Sequence, residues 1–273
     1  MFKKILTYIG WSLLILTLGA YFFFAARLHN AAKDKEVCKH ISVRLLDSAQ
    51  NKFVTKSEVI DIIEEFGGQP LGKRRIDIDL GNIENLLNRR SAIKESQVSI
   101  TRNGVLSVDV TQRKPLLRIQ TENGGFYVDR TGYIFPLVKS FSSYVPIVTG
   151  HIPIIINAEH RGKILEDGDD WIGQIIKLGV FIEENPFWNA MIEQIYVENN
   201  GDIILCPKVG NQHIIIGDLS NIESKFDRLL AFYKNIAPYE GWNRYSAVNL
   251  KYKNQIICKL NKDKKRKINN SKI

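Results

Sequence analysis

The chain has 273 residues, of which 44% are hydrophobic and 25% charged, a balance typical of one large or two modest folded domains and unlike that of a disordered protein. The formal net charge is +9, but six of the basic residues lie in the last twelve positions beside only one acidic residue, Asp263. We therefore interpret residues 261–273 as a solvated, disordered basic tail, and we predict no nucleic-acid partner.

Residues 5–26 contain no charged side chain, and they supply the ~20 apolar positions that a helix needs to cross the hydrocarbon core of a membrane. Phe24 occupies a position where a cleavable signal peptide would need a small residue. The sequence therefore predicts a cytoplasmic tail at 1–4, an uncleaved transmembrane helix at 5–26 and a polar connector at 27–40. Because long folded domains cross membranes largely regardless of charge, we place the bulk of the chain outside the cytoplasm.

A small α/β unit is predicted at residues 41–113. Its first strand is the alternating run ISVRLLD, which is followed by a capping-box pattern from Thr55 to Glu58. This pattern starts a helix, and Gly67-Gly68 ends it because glycine adopts the left-handed conformation that closes many helices.

A second helix and a hairpin complete this unit. Asp79 is the expected N-cap of the helix, and its apolar face holds Leu80, Ile83, Leu86 and Leu87. Two alternating runs joined by Asn103-Gly104 predict a β-hairpin whose central residues both tolerate positive φ. The predicted order is strand, helix, helix, strand, strand.

The stretch GGQPLGKRR, residues 67–75, is close to a phosphate-binding loop but lacks three of its parts. Arg74 replaces the hydroxyl residue that would hold magnesium, Pro70 removes one backbone N–H donor, and a helix precedes the stretch instead of a strand. We interpret it as the connector between the two helices, with Leu71 packing inward and Lys73–Arg75 forming a basic rim.

Residues 114–260 are predicted to form a mixed β domain with a few helices. Its strands are LLRIQ, GGFYVD, YIFPL, VPIVTG, IPIII, MIEQIYVEN, GDIILCP and QHIIIG. Helices are predicted over DDWIGQIIKLGVFIEE, capped by Asp169 or Asp170, and over residues 221–237. The region YSAVNLKYKNQIICKL is the expected last strand. The fold class is therefore α+β, with a transmembrane helix, a β-α-α-β-β unit and a mixed β domain.

No pattern in the sequence indicates catalysis, a cofactor or a metal. The histidines are scattered without a zinc-binding spacing, and the acidic cluster at 166–170 lacks the alternating ligands of a calcium loop and directly precedes a helix. Cys206 and Cys258 are expected to be small buried residues of strands, and a disulfide between them stays open. We predict no enzymatic activity and no small-molecule substrate.

Four stretches in this order resemble the bacterial cell-division family FtsQ/DivIB, in which a membrane anchor precedes a POTRA domain and a β domain. NGVLSVDVTQRKPLLRI, YVDRTGYIFPL and VPIVTG are similar to the family's junction, turn and following strand, and Val248–Tyr252 is similar to its terminal strand. Asn249 departs from the family pattern, which usually has Asp there. The resemblance implies a structural junction made by Arg113, Pro115, Asp129 and Gly132.

The resemblance also implies a divisome protein of the inner membrane that binds FtsB-like and FtsL-like partners at the septum, with further divisome members at the POTRA domain. In this family the last β-strand receives a strand from FtsB, a mode that pairs the free N–H and C=O groups of a sheet edge. Tyr252 matches the family's partner-contacting tyrosine and Lys251 its basic neighbour, whereas Val248 and Leu250 are expected in the core. The implied partner-binding residues are Val248, Asn249, Leu250, Lys251, Tyr252, Lys253 and Ile256.

Two other functions compete with the divisome hypothesis. A POTRA-containing component of outer-membrane protein assembly or secretion would have an array of several POTRA domains. A membrane-anchored hydrolase would have a pocket lined by convergent titratable groups.

Overall fold

The computed structural model describes residues 10–11, 13–25, 37–154, 161–163 and 171–261. It divides into two units, residues 1–112 and 113–273, each of which is considered by itself below. The predicted cytoplasmic tail, most of the polar connector, the acidic cluster with its capping aspartates and the basic tail beyond residue 261 lie outside the described residues.

Residues 10–11 and 13–25 are helical, and both ends of the predicted transmembrane segment lie outside the described residues. Among the helices that the structure describes, none combines the length and the apolar character that spanning a bilayer requires.

The first unit contains a three-stranded sheet covered by two helices. Its elements are β1 (His40–Leu45), α1 (Lys56–Phe66), α2 (Leu80–Asn88), β2 (Ile93–Ile100) and β3 (Val105–Gln112). The described strands lie in the order β1-β3-β2, with β1 parallel and β2 antiparallel to the central β3. This is the predicted element order, and Val59, Ile63, Ile83 and Leu87 pack the helices against the sheet as fully buried side chains.

Local hydrogen bonds explain the helix starts that the sequence predicted. The Glu58 backbone N–H donates to Thr55 Oγ1 at 3.2 Å, and the Thr55 N–H donates to the Glu58 carboxylate at 2.7 Å. The Asp79 carboxylate accepts from the Asn82 N–H at 2.9 Å. The predicted hairpin between β2 and β3 is also present, and of its two central residues Gly104 is the one that adopts positive φ.

The connector at 67–75 pairs its backbone with the start of the unit. The Cys38 N–H donates to Lys73 O at 2.9 Å, and the Gly72 N–H donates to Cys38 O at 2.7 Å. The Gly72 N–H is therefore already used within the protein and does not face a phosphate. Leu71 is 47% exposed, so the prediction that it packs inward was wrong.

The second unit is built on one mixed sheet with helices on one face. Its strands are β4 (Pro115–Thr121), β5 (Gly124–Asp129), β6 (Tyr133–Pro136), β7 (Ile147–Gly150), β8 (Gly162–Lys163), β9 (Ile192–Val197), β10 (Ile203–Pro207), β11 (His213–Gly217), β12 (Tyr245–Asn249) and β13 (Ile257–Leu260). In the described residues their order is β13-β12-β11-β10-β9-β7-β4-β5-β6-β8.

The helices are α3 (Trp171–Glu184), α4 (Pro186–Met191), α5 (Ile222–Asn235) and α6 (Ala237–Glu240). Side chains of α3, α4 and α5 join those of the strands in one buried cluster that includes Ile182, Trp188 and Phe226. We call the opposite side of the sheet the open face. The sequence predicted α3 and α5 but not the short α4, whose start is capped by Asn185. Ile152–Ile154, predicted as a strand, forms none.

The three cysteines are free thiols. Leu205, Ile214, Val248 and Cys258 are neighbours across four adjacent strands, so the Cys258 side chain points to the helical face. Cys206 follows Leu205 and points to the open face, where its Sγ lies 3.7 Å from His213 Nδ1. A Cys206–Cys258 disulfide is therefore excluded in this fold, and burial raises the pKa of both thiols.

Candidate functional site

The end of the second unit is a hairpin, not one long strand. β12 runs parallel to β11, and β13 returns antiparallel to β12 as the last strand on that side of the described sheet. The sequence predicted a terminal strand that continued through Lys253. The structure ends β12 at Asn249 and turns the chain, so that β13 covers the edge of β12 and itself becomes the free edge.

The turn separates the predicted partner-binding residues into two groups. Val248 and Leu250 are fully buried in the core, as expected, and Ile256 packs against that core from its margin. Asn249 accepts a hydrogen bond from the Lys251 N–H at 2.9 Å, which starts the turn. Lys251, Tyr252 and Lys253 lie on the turn, and Tyr252 is 50% exposed. The predicted alternation of faces therefore stops at Leu250.

Lys251 already has a partner within the protein. Its ammonium lies 2.5 Å from Asp202 Oδ2, in the turn between β9 and β10. This hydrogen bond is the main reason why the pKa of Lys251 is raised. A partner protein that contacted Lys251 would have to share or displace the Asp202 carboxylate.

The free edge of β13 presents backbone groups of known direction. The Asn261 N–H donates to Arg244 O at 2.9 Å, toward β12. Because strand N–H groups alternate in direction, those of Lys259 and Ile257 also face β12, whereas those of Cys258 and Leu260 face outward. The side chains of Ile257 and Leu260 are exposed beside these groups. Among the described strands this edge has no neighbour, and it is partly apolar, which is the combination that strand addition uses.

The four predicted junction residues come together around one ion pair. Arg113 Nη1 lies 3.0 Å from Asp129 Oδ2, and only 13% and 9% of the two side chains are exposed. Asp129 begins the turn that Gly132 closes by donating its N–H to Asp129 O at 3.0 Å. Pro115, the first residue of β4, is paired with Asp129, the last residue of the neighbouring strand β5. The arrangement satisfies a buried charge, so its role is structural.

Comparison with known protein families agrees with this geometry. Residues 114–259 match the family described as FtsQ/DivIB, C-terminal related, and residues 36–111 match the POTRA-like domain. The chain belongs to the FtsQ/DivIB C-terminal related family. No curated protein matches the chain. The family relationship indicates a protein of the cell envelope, and domains of these two kinds are typically not enzymes.

One residue of this FtsQ/DivIB-related unit fixes the hairpin, and no motif predicted it. Arg228, on α5, donates from Nη1 to Tyr252 O at 2.5 Å and to Gln255 O at 2.8 Å, and from Nη2 to Leu250 O at 3.2 Å. Three carbonyl groups of the turn are thus held by one guanidinium, whose five donors suit such a cluster. Arg228 therefore positions Tyr252 and the start of β13.

Arg228→Met is expected to loosen the hairpin. Charge-assisted hydrogen bonds contribute ~1.5–3 kcal/mol when well shielded, so we expect a loss of about 2 kcal/mol for this half-exposed set. The amide protons of residues 250–258 should exchange faster in the variant, as followed by hydrogen–deuterium exchange. Lys234→Met removes an exposed cation from the same helix and serves as the matched control. Unchanged exchange in Arg228→Met would contradict the assignment.

The part of the chain that the structure describes contains no cluster of metal-ligating side chains. No group of three or more His, Cys, Asp or Glu side chains there lies in an arrangement that could hold an ion. The Cys206–His213 contact on the open face is a pair and not such a group.

Proposed function

We propose that the protein is a non-enzymatic divisome scaffold, anchored in the inner membrane by residues 5–26 with its two units outside the cytoplasm. It binds FtsB-like and FtsL-like proteins at the septum and couples early to late steps of division. The FtsB-like partner adds a strand to the free edge of β13, beside Tyr252, and the POTRA-like unit is available to other divisome members.

The observation that carries this proposal is the free edge of β13 in a domain of the FtsQ/DivIB-related family. Outward N–H groups at Cys258 and Leu260, with exposed apolar side chains beside them, supply both the hydrogen bonds and the contact area for an incoming strand. Tyr252, which is 50% exposed, lies just before this edge, and tyrosine is enriched in the binding hot spots of interfaces.

The anchor is supported by the side chains of the N-terminal helix. Trp11, Leu13–Leu16, Leu18 and Tyr21–Phe24 are large and apolar, and all are exposed. A helix that is apolar all round is stable in hydrocarbon or in a protein core, and the exposure of these side chains favours hydrocarbon. Membrane insertion covers them.

The outer-membrane assembly alternative receives less support. Its component proteins would need several POTRA domains, whereas the residues after the POTRA-like unit, 114–259, match the FtsQ/DivIB C-terminal related family instead.

Tyr252→Glu in the full-length tagged chain is expected to reduce co-purification of the partner from solubilised membranes. Loss of a tyrosine hot spot costs at least ~1.4 kcal/mol, which corresponds to a decrease of about tenfold in affinity. The matched control is Tyr239→Glu, because Tyr239 is 85% exposed and lies on α6, outside the hairpin of β12 and β13. Equal recovery with Tyr252→Glu and the unmodified chain would count against partner binding at this turn.

A further inference from the structure

A small cleft lies beside β4, β7 and β9 of the second unit, several strands away from the free edge of β13. Its floor is formed by β4, β7 and β9, one wall by residues 142–146 and the other by Lys208, just after β10. The cavity volume is about 160 Å³. Pockets that enclose whole drug-sized ligands have roughly 300–1,000 Å³, so this cleft accepts a single side chain or chain end.

Two cations line the cleft without a carboxylate partner among the described residues. Arg118 Nη2 donates to Gln120 Oε1 at 3.2 Å, while its Nε is buried and has no hydrogen-bond partner in the described protein. The Lys208 ammonium lies 4.1 Å from the centroid of the Tyr144 ring. Buried polar groups normally have partners, because an unpaired donor loses its hydration without compensation. One donor of the Arg118 guanidinium is therefore unused within the described protein.

The wall of the cleft is held in place before any ligand arrives. The Ser143 N–H donates to the Tyr127 hydroxyl at 3.0 Å, and that hydroxyl lies 3.5 Å from Ser142 Oγ. Tyr127 is itself buried, with its ring 5.5 Å from that of Phe135. A wall fixed in this way lowers the entropy that binding would otherwise cost.

The remaining lining residues restrict the chemistry of the anion. Glu193 contributes one carboxylate, so the charged lining side chains, Arg118, Lys208 and Glu193, sum to a single positive charge. This favours a singly charged ligand over a phosphate dianion, which Glu193 would repel. Ser142, Ser143 and Asn189 offer neutral hydrogen-bonding groups, and Tyr144, 79% exposed, offers an aromatic surface at the mouth.

We propose that this cleft binds a peptide carboxylate, either the side chain of an acidic residue or the carboxyl end of a chain. The Arg118 guanidinium pairs with the carboxylate in the fork geometry that arginine favours, and Lys208 adds a second positive charge. Tyr144 covers the neighbouring residue of the peptide. This site is independent of strand addition at β13.

The test uses the full-length protein in detergent micelles and follows the side-chain Hε–Nε resonance of Arg118 by NMR. N-acetylglycine represents a chain end, and N-acetyl-aspartate N-methylamide represents an acidic side chain. We expect saturable shifts with at least one of them, and the stronger binder identifies the source. N-acetylglycinamide, which has no charge, should cause no shift. An equal shift with this amide, or tighter binding of inorganic phosphate, would overturn the proposal.

Substitutions of lining residues are expected to change the affinity for the carboxylate probes, some lowering it and one raising it. Arg118→Gln should weaken binding about tenfold, the loss expected for one charge-assisted contact, as followed by the backbone amides of residues 142–146. Lys208→Gln, which should leave the fold unchanged, should weaken binding about threefold. Glu193→Gln should strengthen binding by a similar factor, because it removes a negative charge that repels the carboxylate. Unaltered affinity of Lys208→Gln and Glu193→Gln for the carboxylate probes would refute the proposal that charge selects the ligand of this cleft.

Discussion

Leu260→Pro is expected to abolish recovery of an FtsB-like partner while the second unit stays folded. The N–H of Leu260 faces away from β12, so proline at this position removes a donor that only an added strand would use. The pyrrolidine ring also occupies the space of the incoming backbone. Losing this backbone hydrogen bond leaves a carbonyl of the added strand unsatisfied, which costs roughly 1–3 kcal/mol and corresponds to about a tenfold to hundredfold loss of affinity.

The measurement is co-purification from solubilised membranes, together with circular dichroism of the purified variant. Leu260→Ala is the matched control, because it shortens the same side chain and keeps the backbone N–H. If binding uses the backbone of β13, the alanine variant should retain most of the partner and the proline variant should lose it. Full recovery with Leu260→Pro would mean that the partner binds elsewhere.

Asp129→Ala is expected to destabilise the second unit by about 3–5 kcal/mol, the cost of breaking a buried ion pair by removing one partner. The substitution removes the Asp129 carboxylate that pairs with the buried Arg113, whose guanidinium lies 3.3 Å from the centroid of the Tyr133 ring. It also removes the acceptor for the backbone N–H groups of Thr131 and Tyr133, at 2.8 and 3.0 Å. The turn between β5 and β6 loses its local hydrogen bonds at the same time.

Urea unfolding followed by tryptophan fluorescence measures the stability of the second unit. Trp171, Trp188 and Trp242 all belong to this unit. Glu184→Ala is the control, because it breaks an exposed contact and leaves Arg130 paired with Glu183. We expect that control to cost less than about 1 kcal/mol. A similar loss of unfolding free energy in the two variants would show that the Arg113–Asp129 ion pair contributes no more to stability than an exposed contact.

Local patterns in the sequence predicted most of the elements because their causes are local. The capping box at Thr55, the N-cap at Asp79 and the turn from Asp129 to Gly132 each depend on hydrogen bonds that span two to four residues. Such contacts can be recognised from spacing alone. The α+β class and the order of the POTRA-like elements follow from them.

The break after Leu250 could not be predicted in the same way. The alternation of YSAVNLKYK continues through the turn, so its pattern gives no stop. What ends β12 is the set of bonds from Arg228, 22 to 27 residues earlier in the chain, and the ion pair of Lys251 with Asp202, 49 residues away. Tertiary contacts of this kind override strand propensity, and they moved the free edge from β12 to β13.

The sequence did not predict the cleft lined by Arg118 and Lys208, for a related reason. Arg118 lies within β4 and Lys208 just after β10, and no pattern in the sequence assigned a ligand-binding role to either residue. Only the parallel pairing of β4 with β7, and of β7 with β9, brings their surroundings together.

The parallel pairing of β11 with β12 also has a consequence for the time at which the protein becomes able to bind. Parallel neighbours need a crossover, and here α5 carries the chain back before β12 can be placed. The β13 edge is therefore made only after synthesis has passed residue 260 and the crossover has folded. A chain whose synthesis has not passed residue 260 would have no such edge, so partner capture at β13 would select for molecules in which the whole second sheet has formed.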